Sequence, residues 1–336
     1  MASPAESVRH FTPRIMVSRC LGLDSCRFNG GTISFPFIEV LGRWAEILDI
    51  CPEMELGLGV PREPLRLVRE AGEEELRLMQ NATELDLTEG MLRLAEESVE
   101  RSMPLDGFLL KSRSPSCGVM KQVKVYPSLE KVGSQGKARG LFGGTVTGLM
   151  PNLPALTEGR FRNHRLRETF LTAAFTLAAL RQAADLCRSR KSSGPLMEFH
   201  AGCKMLLMAH SREAQRRMGS LLGSRGGGPL DPLLSQYRHM LASALQNPPR
   251  RTAAVDVLLH ALGHFKRKLS SQEKAFFLDT VEEYRSARVP LSACTAIILS
   301  WAVRFDESYL LRQRFFEPYP SALRVLSDSG KGRDLD

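Results

Sequence analysis

The sequence predicts a layered α/β domain followed by an all-α domain. Three observations carry this. Short apolar runs alternate with helical stretches through roughly the first 150 residues, the pattern of a Rossmann-like, mostly parallel sheet. From Glu168 onward, apolar residues recur at helical spacing, with Arg/Lys-rich faces opposite Leu/Ala/Met faces. Charge also shifts: residues 1–160 hold 19 Lys and Arg against 21 Asp and Glu, a net of −2, whereas residues 161–336 hold 27 against 16, a net of +11. We place the α/β domain at 1–160, the helical domain at 161–326 and a disordered tail at 327–336 (SDSGKGRDLD from Ser327).

Arg14–Leu21 (RIMVSRCL) reads as the first strand, ending at the Gly22 turn. Phe35–Ile47 has helical spacing, and Leu48–Cys51 is a short apolar run stopped by Pro52, hence a second strand. Gly57–Pro64 (GLGVPREP) is a loop, and Leu76–Gln80 a third strand. Thr88 as cap and Glu89 in the first turn start a helix that runs to about Arg101. Gly107–Lys111 is a fourth strand running into the loop SRSPSCG, and Gly133–Pro154 reads as loop. Helices are expected at 166–189, 196–220, 230–246, 253–268, 271–286, 290–303 and 306–315, with a flexible loop at Gly223–Gly228.

The chain has 336 residues, 43% hydrophobic and 25% charged, ordinary for a soluble globular protein. MASPAESVRHFTPR has no apolar core of a signal peptide. FLTAAFTLAAL and LSACTAIILSWAV fall short of the ~20 residues that span a bilayer. The expectation is a cytoplasmic protein with no membrane partner. In a reducing compartment its seven cysteines point to metal ligation or catalysis rather than disulfides, and an odd number does not complete a disulfide framework. The basic second half suits a polyanion such as nucleic acid; an Arg-heavy coding background accounts for it equally.

Ligands of an open parallel sheet bind outside the carboxyl ends of its strands. Cys20 and Cys26 follow the first predicted strand, Cys51 ends the second and Cys117 follows the fourth. Three strand ends would thus deliver cysteine to one edge. None of the spacings is that of a zinc finger or a ferredoxin. Inert packing, a zinc site and a cluster held by dispersed loop cysteines are the readings open at this point.

Three blocks then carry a resemblance: VSRCLGLDSCRFNGG (17–31), CPEMELGLGVPREP (51–64) and LKSRSPSCG (110–118). In this order they resemble the thiouracil desulfidase family, over about the first 150 residues. Phe28 stands where Tyr is frequent, and Met54-Glu55-Leu56 fills a segment that is usually smaller. The resemblance implies a [4Fe–4S] cluster held by Cys20, Cys51 and Cys117, with its fourth iron open to a thiocarbonyl sulfur. It leaves Cys26 as a further thiol, a structural residue or a catalytic helper. Glu53 and Ser114 match the family's positions for proton transfer and substrate handling. The implied reaction is non-redox: water attacks the C=S carbon, sulfide leaves to a soft Lewis acid, and a carboxylate moves the proton. Without the motif, Glu53 reads as a loop-capping or salt-bridged residue, and Ser-Pro-Ser as turn chemistry.

The second half carries FHAGCKMLLMAHS (199–211), YRHML, NPPRR and LGHFKRKLS. It resembles a helical domain often fused to such desulfidases, an architecture that looks like bacterial tRNA 4-thiouridine desulfidases. The implied partner is tRNA. Candidate RNA contacts are Lys204, which shares a helix face with His200, together with Arg160, Arg162 and Arg165 at the domain joint and Lys121 and Lys124 before it. The alternative is that these are solvated polar faces and a charged linker. Cys187, Cys203 and Cys294 sit in apolar helical stretches and read as core; His260 and His264, four apart, lack an evident carboxylate partner for a metal. The expected function is desulfuration of 4-thiouridine in tRNA. Rival readings are an enzyme of free 2- or 4-thiouracil and a cluster-bearing RNA-binding regulator without turnover.

Overall fold

The computed structural model describes residues 10–70, 72–73, 75–223 and 229–324. The tail from Ser327 and most of the Gly223–Gly228 loop lie outside the described residues. The described chain divides into two compact units, residues 12–170 with 322–324, and residues 10–11 with 171–321. The chain passes from one to the other within a helix.

The first unit is α/β. Its elements are β1 (Arg14–Ser18), α1 (Phe37–Gly42), β2 (Glu46–Ile50), α2 (Pro52–Glu55), β3 (Leu65–Val68), β4 (Arg77–Gln80), α3 (Thr88–Ser102), β5 (Gly107–Leu110), β6 (Val123–Tyr126), β7 (Gly136–Ala138), α4 (Leu141–Leu149), β8 (Ala155–Thr157) and α5 (Glu158–Phe161). One sheet runs β2-β1-β5-β8 with every pair parallel. Its central strands read as unbroken apolar runs because both faces are covered: Ile15, Met16 and Val17 on β1 and Phe108, Leu109 and Leu110 on β5 are at most 1% exposed. The second sheet runs β4-β3-β6-β7, with only β3 and β6 parallel. Phe35, Phe37, Phe161 and Phe170 form an aromatic cluster, with Phe37 and Phe161 centroids 4.9 Å apart.

Several local expectations change. The helix expected over 35–47 stops at Gly42, because Glu46 and Ile47 pair with Arg14 and Ile15. Ala45 and Ile47 satisfy a helical period and a strand period alike, and pairing decides between them. Thr88 is the first residue of α3 rather than its cap: its Oγ1 accepts from Leu78 N (2.9 Å) and donates to Asp86 Oδ1 (2.6 Å), tying the helix to β4. Gly133–Pro154, expected as loop, holds β7 and α4. Its glycines allow close packing. A Cβ on Gly140 would lie 2.5 Å from both Gly118 N and Ser116 O, and Gly140 N donates to Gly118 O at 2.6 Å.

The second unit is helical. The linking helix α6 (His164–Arg190) is followed by α7 (Gly194–His210), α8 (Arg212–Gly223), α9 (Leu230–Ala244), α10 (Arg251–Gly263), α11 (Ser271–Arg285), α12 (Leu291–Arg304) and α13 (Ser308–Leu311). The helix expected over 196–220 breaks at Ser211, which is extended and whose Oγ accepts from Ala214 N at 3.1 Å to start α8. Of the stretch expected as helix at 306–315, only α13 is helical. Ser270 and Glu273 form a reciprocal capping box on α11. Phe265 and Phe277 both pack edge-on to Trp301, and Cys187, Cys203 and Cys294 are buried here. Among the described residues no helix is long and apolar enough to cross a membrane.

Gly140→Ala is expected to lower the thermal midpoint by about 5 °C, the effect of about 2 kcal/mol of overpacking. Gly148→Ala, in the helix that Gly140 precedes and with nothing within 4 Å of its would-be Cβ, should leave the midpoint unchanged or raise it. Thermal melts of the two variants check this.

Candidate active site

The winding of the parallel sheet reverses at β1: the chain first steps to β2 on one side, while β5 and β8 lie on the other. The crevice outside the carboxyl ends of such strands is where α/β sheets bind ligands. Cys20 follows β1, Cys51 follows β2, Cys117 lies in the loop after β5, and Glu158 follows β8. Cys20, Cys51 and Cys117, with Cys26, Glu53, Ser114 and Lys111, line one cavity of about 270 Å³ at this edge.

The thiols oppose one another's ionisation. Burial, then the proximity of Cys51, push Cys20 up to about 11. Burial and Cys20 raise Cys117 well above the ordinary thiol range, and burial and Cys51 raise Cys26. A positively charged group among them reverses that preference, because thiolates are the form that binds metal. No group of three His, Cys, Asp or Glu among the described residues is arranged around a single ion. A four-iron cluster asks for a different arrangement, since each cysteine binds a different iron and the thiols ring a space. Cys20, Cys51 and Cys117 ring this cavity, and the donor set is compatible with such a cluster. Cys26 also lines it; the Cys51 thiol donates to the Cys26 carbonyl at 3.7 Å.

Glu53 is held on both carboxylate oxygens. Oε2 accepts from Arg62 Nε at 2.7 Å and Oε1 from the Ser116 hydroxyl at 2.6 Å. Arg62, its side chain 3% exposed, also donates to the carbonyls of Gly59 (2.8 Å) and Cys26 (2.9 Å). One guanidinium thus ties the CPE turn to both neighbouring loops. Ser114 lines the cavity, but its Oγ accepts from Cys117 N (3.0 Å) and Ser116 N (3.3 Å), so it also shapes the loop that presents Cys117. Ser116, which the sequence reading passed over, is the serine that reaches Glu53.

A second ion pair involves Lys111, which lines the cavity, and the buried Glu158. Lys111 Nζ donates to Glu158 Oε1 at 2.6 Å, and Ser112 donates to both Glu158 oxygens through its hydroxyl (2.6 Å) and backbone N–H (2.7 Å). Burial alone would raise the Glu158 pKa; the bonds from Lys111 and Ser112 outweigh it and hold the carboxyl below its ordinary range. No sequence signal marked Glu158, because its partner is 47 residues away. Arg27, Phe28 and Arg113 complete the lining. Arg113 is exposed and sits at φ 56°, a left-handed conformation a non-glycine side chain adopts at a cost.

None of the six basic candidates for RNA lines this cavity. Lys121 and Lys124 are exposed, before and on β6; Arg160 is half-buried on α5, Arg162 exposed beyond it and Arg165 half-buried in α6. Lys204 is exposed on α7 in the helical unit, on the same helix as His200, which bonds Tyr237 Oη at 3.0 Å. His264 has a carboxylate neighbour after all, Glu307 at 3.7 Å.

Residues 15–158 match the family described as 2-thiouracil desulfurase. Over 109 residues the chain is 32% identical to the uncharacterized protein YbbK of Bacillus subtilis strain 168, covering 72% of that protein and 31% of this chain. The chain belongs to the 2-thiouracil desulfurase family. Residues 204–320 match a second family, described as a protein of unknown function (DUF1722). There the relative is the uncharacterized protein YbgA of Escherichia coli K12, 25% identical over 162 residues, which are 94% of that protein and 48% of this chain. No solved structure matches the chain.

Lys111→Met is expected to destabilise this desulfurase-family protein by about 3 kcal/mol at neutral pH, by leaving Glu158 charged and buried without its cation. A carboxyl with a lowered folded pKa contributes stability above its unfolded value and loses it as pH falls through the folded value. The gap between wild type and variant should therefore close in acid, below about pH 4. Denaturant unfolding across that range checks it.

Proposed function

We propose that this protein removes sulfur from 4-thiouridine in tRNA without net redox change, yielding uridine and sulfide. The carrying observation is that three strand ends of one parallel sheet bring Cys20, Cys51 and Cys117 to a single cavity that also holds Glu53. These cysteines would hold a [4Fe–4S] cluster, which when bound supplies a soft Lewis acid for the sulfur. The chain's own part is the proton. Glu53, oriented by Arg62 and Ser116, takes a proton from the water that adds to the ring carbon as hydrosulfide leaves. Lys111, steadied by Glu158 and Ser112, holds positive charge in the cavity where negative charge develops on sulfur.

Two features favour a nucleotide within a polyanion over a free base. Arg27 and Arg113 line the cavity, neither forms an ion pair among the described residues, and a neutral thiobase has no use for two such cations. The region from residue 161 on carries a net charge of +11.

The test is anaerobic. The protein is reconstituted with iron and sulfide, incubated with 4-thiouridine-containing tRNA, and the digested nucleosides are measured by mass spectrometry. Conversion of 4-thiouridine to uridine with release of sulfide is expected. A cluster-loaded protein that spares tRNA but desulfurates free thiouracil would replace this reading with the free-base enzyme; inactivity on both would favour a regulator. Cys51→Ala should abolish the cluster's visible absorbance and turnover together. Glu53→Ala should keep the absorbance and cost at least about 100-fold in turnover. Arg113→Gln should raise KM for tRNA several-fold while kcat changes little.

A further inference from the structure

We propose that the second sheet of the α/β unit binds the RNA backbone, on a row of cations formed by Arg66, Lys124 and Lys137. This rests on tRNA being the substrate. Lys124 on β6 stands directly opposite Lys137 on β7, so the two side chains share a face. Leu67 pairs with Val125 in parallel, which puts Arg66 beside Lys124 one residue earlier. The result is three cations abreast on three adjacent strands. At about 4.8 Å per strand the row is about 10 Å long, the rise of about three nucleotides.

Lys124 and Lys137 are exposed, and so is Lys131 in the connecting hairpin. Arg66 is aimed by its surroundings: its Nη1 donates to Leu129 O at 3.0 Å, and its guanidinium lies 4.7 Å from the Tyr126 ring centroid. Among the described residues none of Arg66, Lys124, Lys131 and Lys137 forms an ion pair. Like charges directly opposite on paired strands destabilise a sheet. Lysine on an edge strand also blocks edge-to-edge pairing, which would account for Lys137 on edge strand β7. It does not account for Lys124 or Arg66, which sit on the two central strands. A polyanion relieves all three. Leu65, the residue before Arg66 on β3, lines the cavity, so the strand that carries Arg66 also reaches the site, with Arg66 itself turned to the other face of the sheet.

The test is the salt dependence of binding. Unmodified tRNA transcript is titrated with wild type, with Lys124→Gln/Lys137→Gln, and with Lys266→Gln/Arg267→Gln, a pair of exposed cations in the helical unit that lowers net charge equally. The row variant should bind at least about tenfold more weakly, with a log Kd against log salt slope shallower by about two, near one per phosphate contact. Lys124→Arg/Lys137→Arg should restore the slope, which a defect of folding would not allow. An unchanged slope in the row variant overturns the proposal. An equal loss in the helical-unit pair overturns it too, by showing bulk charge alone. A wild-type chain that does not bind tRNA would sink the substrate reading itself, and the row with it.

Discussion

Everything at the candidate site depends on the parallel pairing of β1 with both β2 and β5. Ser18 is paired with Ile50, and Val17 with Leu109. That register fixes where three chain segments emerge, and each emerges carrying a cysteine or the loop that holds one. A shift of one residue along a strand turns its side chains to the opposite face and moves the exit point. The unbroken apolar runs of β1 and β5 lock the pairing, because both faces must stay covered. The sheet core thus sets the thiol geometry before any ligand is present.

Around that frame, each loop is tied by an interaction at long sequence range. Arg62 links the CPE turn to the loop of Cys26 and to the carboxylate of Glu53. Ser116 brings the Cys117 loop onto the same carboxylate. Gly140 lets the start of α4 press against the backbone of residues 114–118, where any side chain would intrude. Buried polar groups fully satisfied in this way specify one arrangement, which is what a site needs when its ligands come from separate loops.

Two carboxylates have different roles here, Glu53 in the cavity lining and Glu158 behind it. Glu53 faces Arg62 and a serine hydroxyl among the thiols; Glu158 is absorbed by Lys111 and Ser112. Positive groups at the cavity and along the second sheet suit a substrate that arrives as part of a polyanion. Residues 1–160 and 161–336 divide the chain's charge unevenly, −2 against +11, yet the cations on the second sheet lie in the acidic part.

The sequence by itself determined the alternation of strands and helices, the helical second half, and the four cysteines behind strand ends, because apolar periodicity and the residues flanking it are local properties. It also held the motif blocks that contain Glu53, Arg62, Ser114 and Ser116. Which serine faces the carboxylate was a tertiary matter, since Ser114 and Ser116 are both turn residues and only the fold decides which hydroxyl points where. The Gly-rich stretch 133–154 looked like loop because composition cannot distinguish glycine used for mobility from glycine used for close approach. Glu158 had no local signature, for its partner is 47 residues away, and Lys124 was legible only as one basic residue among several, its alignment with Arg66 and Lys137 being a matter of strand pairing. Periodicity is written in neighbours; a site is written in strand register.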